Sequence, residues 1–139
     1  MATTRKASAV WSGNLKEGAG QISLDSSGIG TYPVSWPARA EEPNGVTSPE
    51  ELIAAAQAAC FSMSVSLALT NAGTPPTELR TSVEVDFQPG VGITAVRLHV
   101  AGEAPGVDAE TFRATAEKAK EGCPVSRALA AVPSTLTVG

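Results

Sequence analysis

The sequence is poor in side chains that bind metals. It has one histidine, His99, and only two cysteines, Cys60 and Cys123, which lie far apart along the chain. Structural zinc sites need four ligands, usually in closely spaced pairs, so we expect no metal site, and a zinc-stabilised fold stays only as a third hypothesis. His99 alternates with apolar residues that face inwards, so we expect it to be a solvated strand residue.

The sequence also lacks a basic cluster and an apolar leader. The net charge is −4 and no block of Lys or Arg occurs, which argues against nucleic acid or anionic lipid as the main partner. Residues 1–6 do not form the apolar core of a signal peptide, so we expect a cytoplasmic protein without a structural disulfide. We expect one domain, 1–139, because this length buries a sufficient core.

Three common catalytic motifs are missing: the Gly-x-Ser-x-Gly elbow, the phosphate loop ending in Gly-Lys-Ser/Thr, and His-Glu-x-x-His. The Gly18-Ala19-Gly20 segment leads into a predicted strand rather than a helix, which is typical of a turn and not of a nucleotide-binding loop. The sequence therefore predicts no cofactor.

The dominant feature is a long uncharged segment that is predicted to be a helix over residues 48–72. Ser48 can cap it, Pro49 suits its first position, Glu51 completes a capping box, and Gly73 ends it. The segment is long enough to span a membrane, but its many alanines, its Ser and Gln residues and the absence of flanking cations favour a soluble protein. Since no polar face remains, we expect this helix to be central and covered on all sides.

The rest of the chain alternates in the manner of strands joined by tight turns. Strands are predicted over residues 6–11, 20–25, 31–36 with a short extension through 38–40, 79–87, 93–101 and 134–138. Pro33 confines the third strand to a sheet edge, and Asp108 caps a second, amphipathic helix over residues 109–121. Hairpins rather than crossovers predict an α+β fold with antiparallel sheets around the long helix.

Cys60 and Cys123 are the best candidates for chemistry. A cysteine among alanines in a helix is typical of an ordinary core position. Gly122-Cys123-Pro124 at a helix start instead places Cys123 where backbone N–H groups stabilise a thiolate. The two thiols form a redox pair only if folding brings them together, so both interpretations remain open at this point.

Three segments of the chain carry a family resemblance. Residues 49–63 and 119–126 resemble the signature segments of the OsmC/Ohr family of thiol-dependent hydroperoxide reductases, and residues 11–20 resemble its OsmC branch. The resemblance implies an intertwined homodimer that reduces organic hydroperoxides, and hydrogen peroxide more weakly, to alcohols in oxidative or osmotic stress defence. It implies a dithiol reductant of the dihydrolipoamide type.

The resemblance also assigns roles to individual residues. Cys60 would attack the peroxide and become a sulfenic acid, which Cys123 would resolve into an intramolecular disulfide. Arg39 matches the family's active-site arginine and Glu50 its carboxylate partner. A cation suits Cys60, which lies within a helix and has no free N–H donors, although helix-end electrostatics alone would choose Cys123 as the attacking thiol.

One further expectation concerns the substrate, and another concerns the function. Four apolar side chains are candidates for a wall near the thiols, with core packing as the rival interpretation: Phe61, Met63, Phe87 and Phe112. The alternative function is a non-enzymatic module of the same fold that binds a small molecule or senses redox state.

Overall fold

The computed structural model describes residues 1–139, which fall into two compact units, Met1–Leu52 and Ile53–Gly139. The long helix α2, Pro49–Asn71, begins in the first unit and continues into the second. A single domain over the whole chain stays a prediction.

The first unit contains a three-stranded antiparallel sheet. Its strands are β1 (Ser8–Ser12), β2 (Ala19–Ser23) and β3 (Thr31–Val34), with β2 in the middle. Trp11 of β1 lies opposite Gly20 of β2, where an added Cβ would come within 2.7 Å of the indole ring. The edge position predicted for the strand containing Pro33 is confirmed.

A short helix, α1 (Trp36–Ala40), follows β3. The expectation that residues 38–40 extend the strand is wrong. The Ser35 hydroxyl accepts a hydrogen bond from the Ala38 N–H, and Pro37 fits the first turn of a helix. Arg39 therefore lies in the last turn of a helix rather than on a strand.

Helix α2 begins and ends where the sequence predicts. The Ser48 hydroxyl accepts from the Glu51 N–H at 3.2 Å, and Gly73 adopts a left-handed φ of +82° just after the last turn. By length and composition alone α2 could cross a membrane, a test that core helices of soluble proteins also pass.

The second unit contains a three-stranded sheet with two helices on the connection. Strands β4 (Glu78–Gln88) and β5 (Gly92–Glu103) form an antiparallel hairpin, and β6 (Ser134–Val138) pairs with β5 in parallel. Helices α3 (Ala109–Gly122) and α4 (Pro124–Ala128) bring the chain back in the direction that a parallel pairing requires. The predicted α+β class, with antiparallel pairing and a long central helix, is confirmed, and the β5–β6 pair adds one parallel ladder.

The core of the second unit is built by one face each of α2, β5 and α3. These faces contribute Phe61, Val65, Leu69, Val96, Leu98, Val100, Phe112, Ala116 and Ala119. The opposite face of α2 is open, with Met63 71% and Leu67 61% exposed. One chain therefore does not cover α2 on all sides.

Candidate active site

The two thiols lie in contact. The Sγ atoms of Cys60, on α2, and Cys123, between α3 and α4, are 3.1 Å apart, and both cysteines are free. Cys123 is fully buried, whereas Cys60 is only partly buried. The structure thus brings together the two cysteines that the sequence left as separate candidates.

The break between α3 and α4 sets the position of Cys123. Its backbone is extended, with φ −65° and ψ 120°, which is the conformation that a following proline favours. Pro124 then starts α4, because a first helical position needs no N–H donor. The Gly-Cys-Pro segment thereby separates α3 from α4 at Cys123, whose sulfur contacts Cys60 on α2.

The two thiols differ in acidity. Burial raises the pKa of Cys60, an effect that the neighbouring Cys123 increases and the backbone of Val125 partly offsets. Burial alone would also raise the pKa of Cys123, but the backbone and hydroxyl of Ser126 and the Cys60 side chain together lower it. The pKa of Cys123 is thus lowered and the pKa of Cys60 is raised, so the first proton that the pair loses comes mainly from Cys123.

Two polar side chains beside Cys123 were not identified from the sequence. Gln57, only 1% exposed, directs its amide nitrogen to Ser126 Oγ at 2.8 Å and to Cys123 Sγ at 3.6 Å. A signal was available, since Gln57 lies four residues before Phe61 on the buried stripe of α2 and a buried amide requires partners.

Arg39 and Glu50 form an ion pair within the first unit. The Arg39 Nε atom lies 2.8 Å from Glu50 Oε1, and Nη2 lies 2.8 Å from the same oxygen. Glu50 is nearly buried, with 7% of its side chain exposed, and Arg39 is 32% exposed. The pairing expected from the resemblance is present.

An open apolar cavity of about 540 Å³ adjoins this ion pair, also within the first unit. Apolar side chains make up most of its wall, including Trp11, Leu15, Trp36 and Leu52, and Arg39 supplies the charged group. Such a mixture suits a ligand with an apolar body and one polar end.

The four candidates for an apolar wall near the thiols lie in different environments, and Phe87, on β4, is partly buried. Phe61 and Phe112 are buried in the core of the second unit, as the rival interpretation expected, and Met63 lies on the open face of α2.

No group of three or more His, Cys, Asp or Glu side chains that could hold a metal ion comes together.

The chain is similar to known proteins over nearly its whole length. The chain is 42% identical over 134 residues to Peroxiredoxin OsmC of Escherichia coli K12, covering 94% of this chain and 93% of that protein. Among solved structures, an organic hydroperoxide resistance protein OsmC from Legionella pneumophila superposes with a TM-score of 0.77 at 25% identity, covering 100% of this chain and 98% of the other.

A second solved structure, the organic hydroperoxide resistance protein OhrB of Bacillus subtilis, gives a TM-score of 0.70 at 25% identity, covering 96% of this chain and 98% of the other. The family model described as OsmC-like protein matches residues 42–137, which include both cysteines and Glu50. The chain belongs to the OsmC-like protein family.

Proposed function

We propose that the protein is a thiol-dependent peroxidase that reduces organic hydroperoxides to alcohols. The observation that carries the proposal is the 3.1 Å separation of two free thiols. A disulfide requires an S–S distance of about 2.05 Å, so a local shift of about 1 Å joins them. The names of the relatives, a peroxiredoxin and organic hydroperoxide resistance proteins, support the same chemistry.

We assign the attack to Cys60 because of access. Cys123 has no exposed surface, so a peroxide arriving from solvent meets Cys60 first. The thiolate charge moves to Cys60 by transfer of the shared proton across the 3.1 Å contact. Cys60 then bonds to one peroxide oxygen, the O–O bond breaks, and the leaving alkoxide takes a proton to become the alcohol.

Cys123 resolves the sulfenic acid. Its sulfur bonds to Cys60 Sγ, the S–O bond breaks, and the oxygen leaves as water after taking a proton. An external dithiol of the dihydrolipoamide type then reduces the disulfide by exchange, which restores both thiols. Since this cycle needs a supply of reduced thiols, we propose that the protein acts in the cytoplasm.

We propose that Arg39 provides the cation that favours the Cys60 thiolate and that Glu50 fixes the orientation of its guanidinium. Two nitrogens of Arg39 engage the nearly buried carboxylate, a geometry that a lysine does not reproduce. The apolar cavity beside Arg39 suits the organic part of an alkyl hydroperoxide better than hydrogen peroxide.

We propose a homodimer in which a second copy covers the open face of α2. Met63 and Leu67 lie on that face and are mostly exposed, and Ala59 leaves room for close approach of another helix. Light scattering tests this directly, because Met63→Glu places a charge in the contact. A dimeric wild type with a monomeric Met63→Glu variant is expected, and a monomeric wild type would refute the dimer.

Mass spectrometry after one equivalent of tert-butyl hydroperoxide tests the peroxidase. We expect a Cys60–Cys123 disulfide in the wild type, no peroxide consumption by Cys60→Ser, and a trapped Cys60 sulfenic acid in Cys123→Ser. Steady-state turnover with dihydrolipoamide should be absent in Cys60→Ser. An unmodified wild type would refute the proposal.

The apolar cavity in the first unit also fits the second candidate, a non-enzymatic module that binds a small molecule. Calorimetry with a stable apolar alcohol separates the two, since this candidate predicts binding without any turnover, and binding that survives Cys60→Ser.

A further inference from the structure

The buried amide of Gln57 is the feature that the proposed cycle leaves unexplained. Gln57 and Glu50 are the only buried polar side chains, and Gln57 lies on the α2 stripe that otherwise carries Phe61, Val65 and Leu69. An apolar residue of similar size would fill this position without removing an amide from water. Its hydrogen-bond partners therefore indicate what the amide does.

Gln57 reaches Cys123 by two routes. Its Nε2 atom donates to Ser126 Oγ at 2.8 Å and lies 3.6 Å from Cys123 Sγ. Because the Ser126 oxygen accepts this bond, its single hydroxyl hydrogen is available for the sulfur, and the hydroxyl contributes to the lowered pKa of Cys123. The sulfur is thus contacted from α2 and from α4 at once.

We infer that Gln57 and Ser126 are positioning residues that hold the Cys123 sulfur in line with Cys60 for the resolution step. The inference rests on the proposed function, in which Cys60 attacks and Cys123 resolves. Two donors restrain the sulfur in direction, so it meets the Cys60 sulfenic acid without a search through side-chain rotamers.

This positioning role affects only one of the two chemical steps in a turnover. The attack of Cys60 on the peroxide breaks the O–O bond before Cys123 reacts, so it does not need the Cys123 sulfur to be aligned. At a pH above the first pKa of the thiol pair, the pair is already ionised and the attack does not need the two donors. The second step forms the S–S bond and breaks the S–O bond of the sulfenic acid, and it requires Cys123 to be ionised and aligned. Loss of Gln57 or Ser126 should therefore slow the second step and spare the first.

Single-turnover kinetics on the full-length dithiol protein tests the inference. Peroxide loss is followed after mixing with tert-butyl hydroperoxide, and quenched samples are assayed for disulfide and for sulfenic acid trapped with dimedone. The variants are Gln57→Leu and Ser126→Ala, with Ser126→Thr as the conservative replacement that keeps a hydroxyl. Gln88→Leu, the same substitution at an exposed position of β4, is the control.

At a pH above the first pKa of the thiol pair, we expect Gln57→Leu and Ser126→Ala to consume peroxide at the wild-type rate or faster. We expect them to form the disulfide about tenfold more slowly, the effect of losing one hydrogen bond to a charged group. Dimedone adducts should increase, and excess peroxide should convert more Cys60 to sulfinic acid. Ser126→Thr should restore the rate, and the control should match the wild type.

Two results would overturn the inference. One is disulfide formation at the wild-type rate in both variants. The other is an equal decline of both steps together with a lower melting temperature, which would show that the residues only maintain the fold. If Gln57→Leu does not fold, the comparison of Ser126→Ala with Ser126→Thr decides. A wild type that forms no disulfide at all refutes the proposed function itself, which is a distinct result.

Discussion

Arg39 holds Glu50 through two nitrogens, with Nε 2.8 Å and 3.2 Å from the two carboxylate oxygens and Nη2 2.8 Å from Oε1. The pair joins α1 to the first turn of α2. A nearly buried carboxylate that loses its ion-pair partner strongly destabilises the fold. The stability of the first unit therefore depends on this contact, in addition to any role that the contact has in catalysis.

The Arg39→Lys variant should show whether the protein needs the fixed orientation of the Arg39 guanidinium or only its positive charge. A lysine keeps the positive charge but offers one compact ammonium in place of a planar fork, so we expect a loss of about 1 kcal/mol in the free energy of unfolding and a fall of about tenfold in kcat/KM. Urea unfolding and steady-state kinetics with tert-butyl hydroperoxide measure the two effects.

The double variant Arg39→Met with Glu50→Gln is the matched control. It removes both charges, so its stability should exceed the value expected from adding the two single losses. Wild-type kcat/KM in Arg39→Lys would contradict a role for the fixed guanidinium.

Val100→Ala and Val91→Ala apply one substitution to opposite environments. Val100 on β5 is 0% exposed in the core of the second unit, whereas Val91 is 67% exposed in the turn between β4 and β5. We expect the first variant to lose about 2 kcal/mol of stability, from two buried carbon atoms and a residual cavity. The second should be close to wild type, and equal losses in urea unfolding would contradict the assignment of this core.

The parts of the fold that the sequence predicted are those with local causes. Ser48 and Gly73 bound α2 through capping and a left-handed turn, and Asp108 caps α3, as their residue types indicate. The helix α1 was missed because Ser35 and Pro37, which start it, also suit a strand end. The parallel pairing of β6 was missed because alternation shows which residues share a face and not which neighbour a strand selects.

The candidate site divides in the same way. Hydrophobic periodicity and residue spacing could not predict the contact between Cys60 and Cys123, because these residues lie far apart in sequence. Only the family resemblance indicated that the two thiols react with each other. For Gln57, the sequence pattern could predict a buried position on α2. Its partner Ser126 lies in α4, so the hydrogen bond between them could not be predicted from either segment alone.

Asp108 should make the stability of α3 depend on pH. Its carboxylate accepts from the Thr111 N–H at 2.7 Å, and this bond lowers the pKa of Asp108 below its ordinary value. A carboxyl whose folded pKa is lowered adds stability above its unfolded pKa, and that contribution is lost as the pH falls through the folded pKa. Asp108→Ala should therefore melt below the wild type near neutral pH, with a difference that shrinks in acid.

Asp108→Asn is the control for this titration, because its side-chain oxygen still caps the helix but does not ionise. Its melting temperature relative to Asp108→Ala should not change with pH. A constant difference between wild type and Asp108→Ala would show that the charge does not contribute.

The acidity of the two thiols should change in opposite directions when either sulfur is removed. The Cys60 side chain helps to lower the pKa of Cys123, so Cys60→Ala should raise that pKa. Cys123 helps to raise the pKa of Cys60, so Cys123→Ala should lower it. The ultraviolet absorbance of the thiolate as a function of pH measures both shifts, and alkylation rates with iodoacetamide assign them to a residue.

The wild-type pair should then lose its first proton at a lower pH than Cys60→Ala does, because the remaining proton is shared between two sulfurs. Since the thiolate is the reactive form, the rate of peroxide consumption should rise with pH through this first pKa and level off above it. A rate that continues to rise through the higher pKa of an ordinary thiol would show that the proton shared by Cys60 and Cys123 does not control the attack.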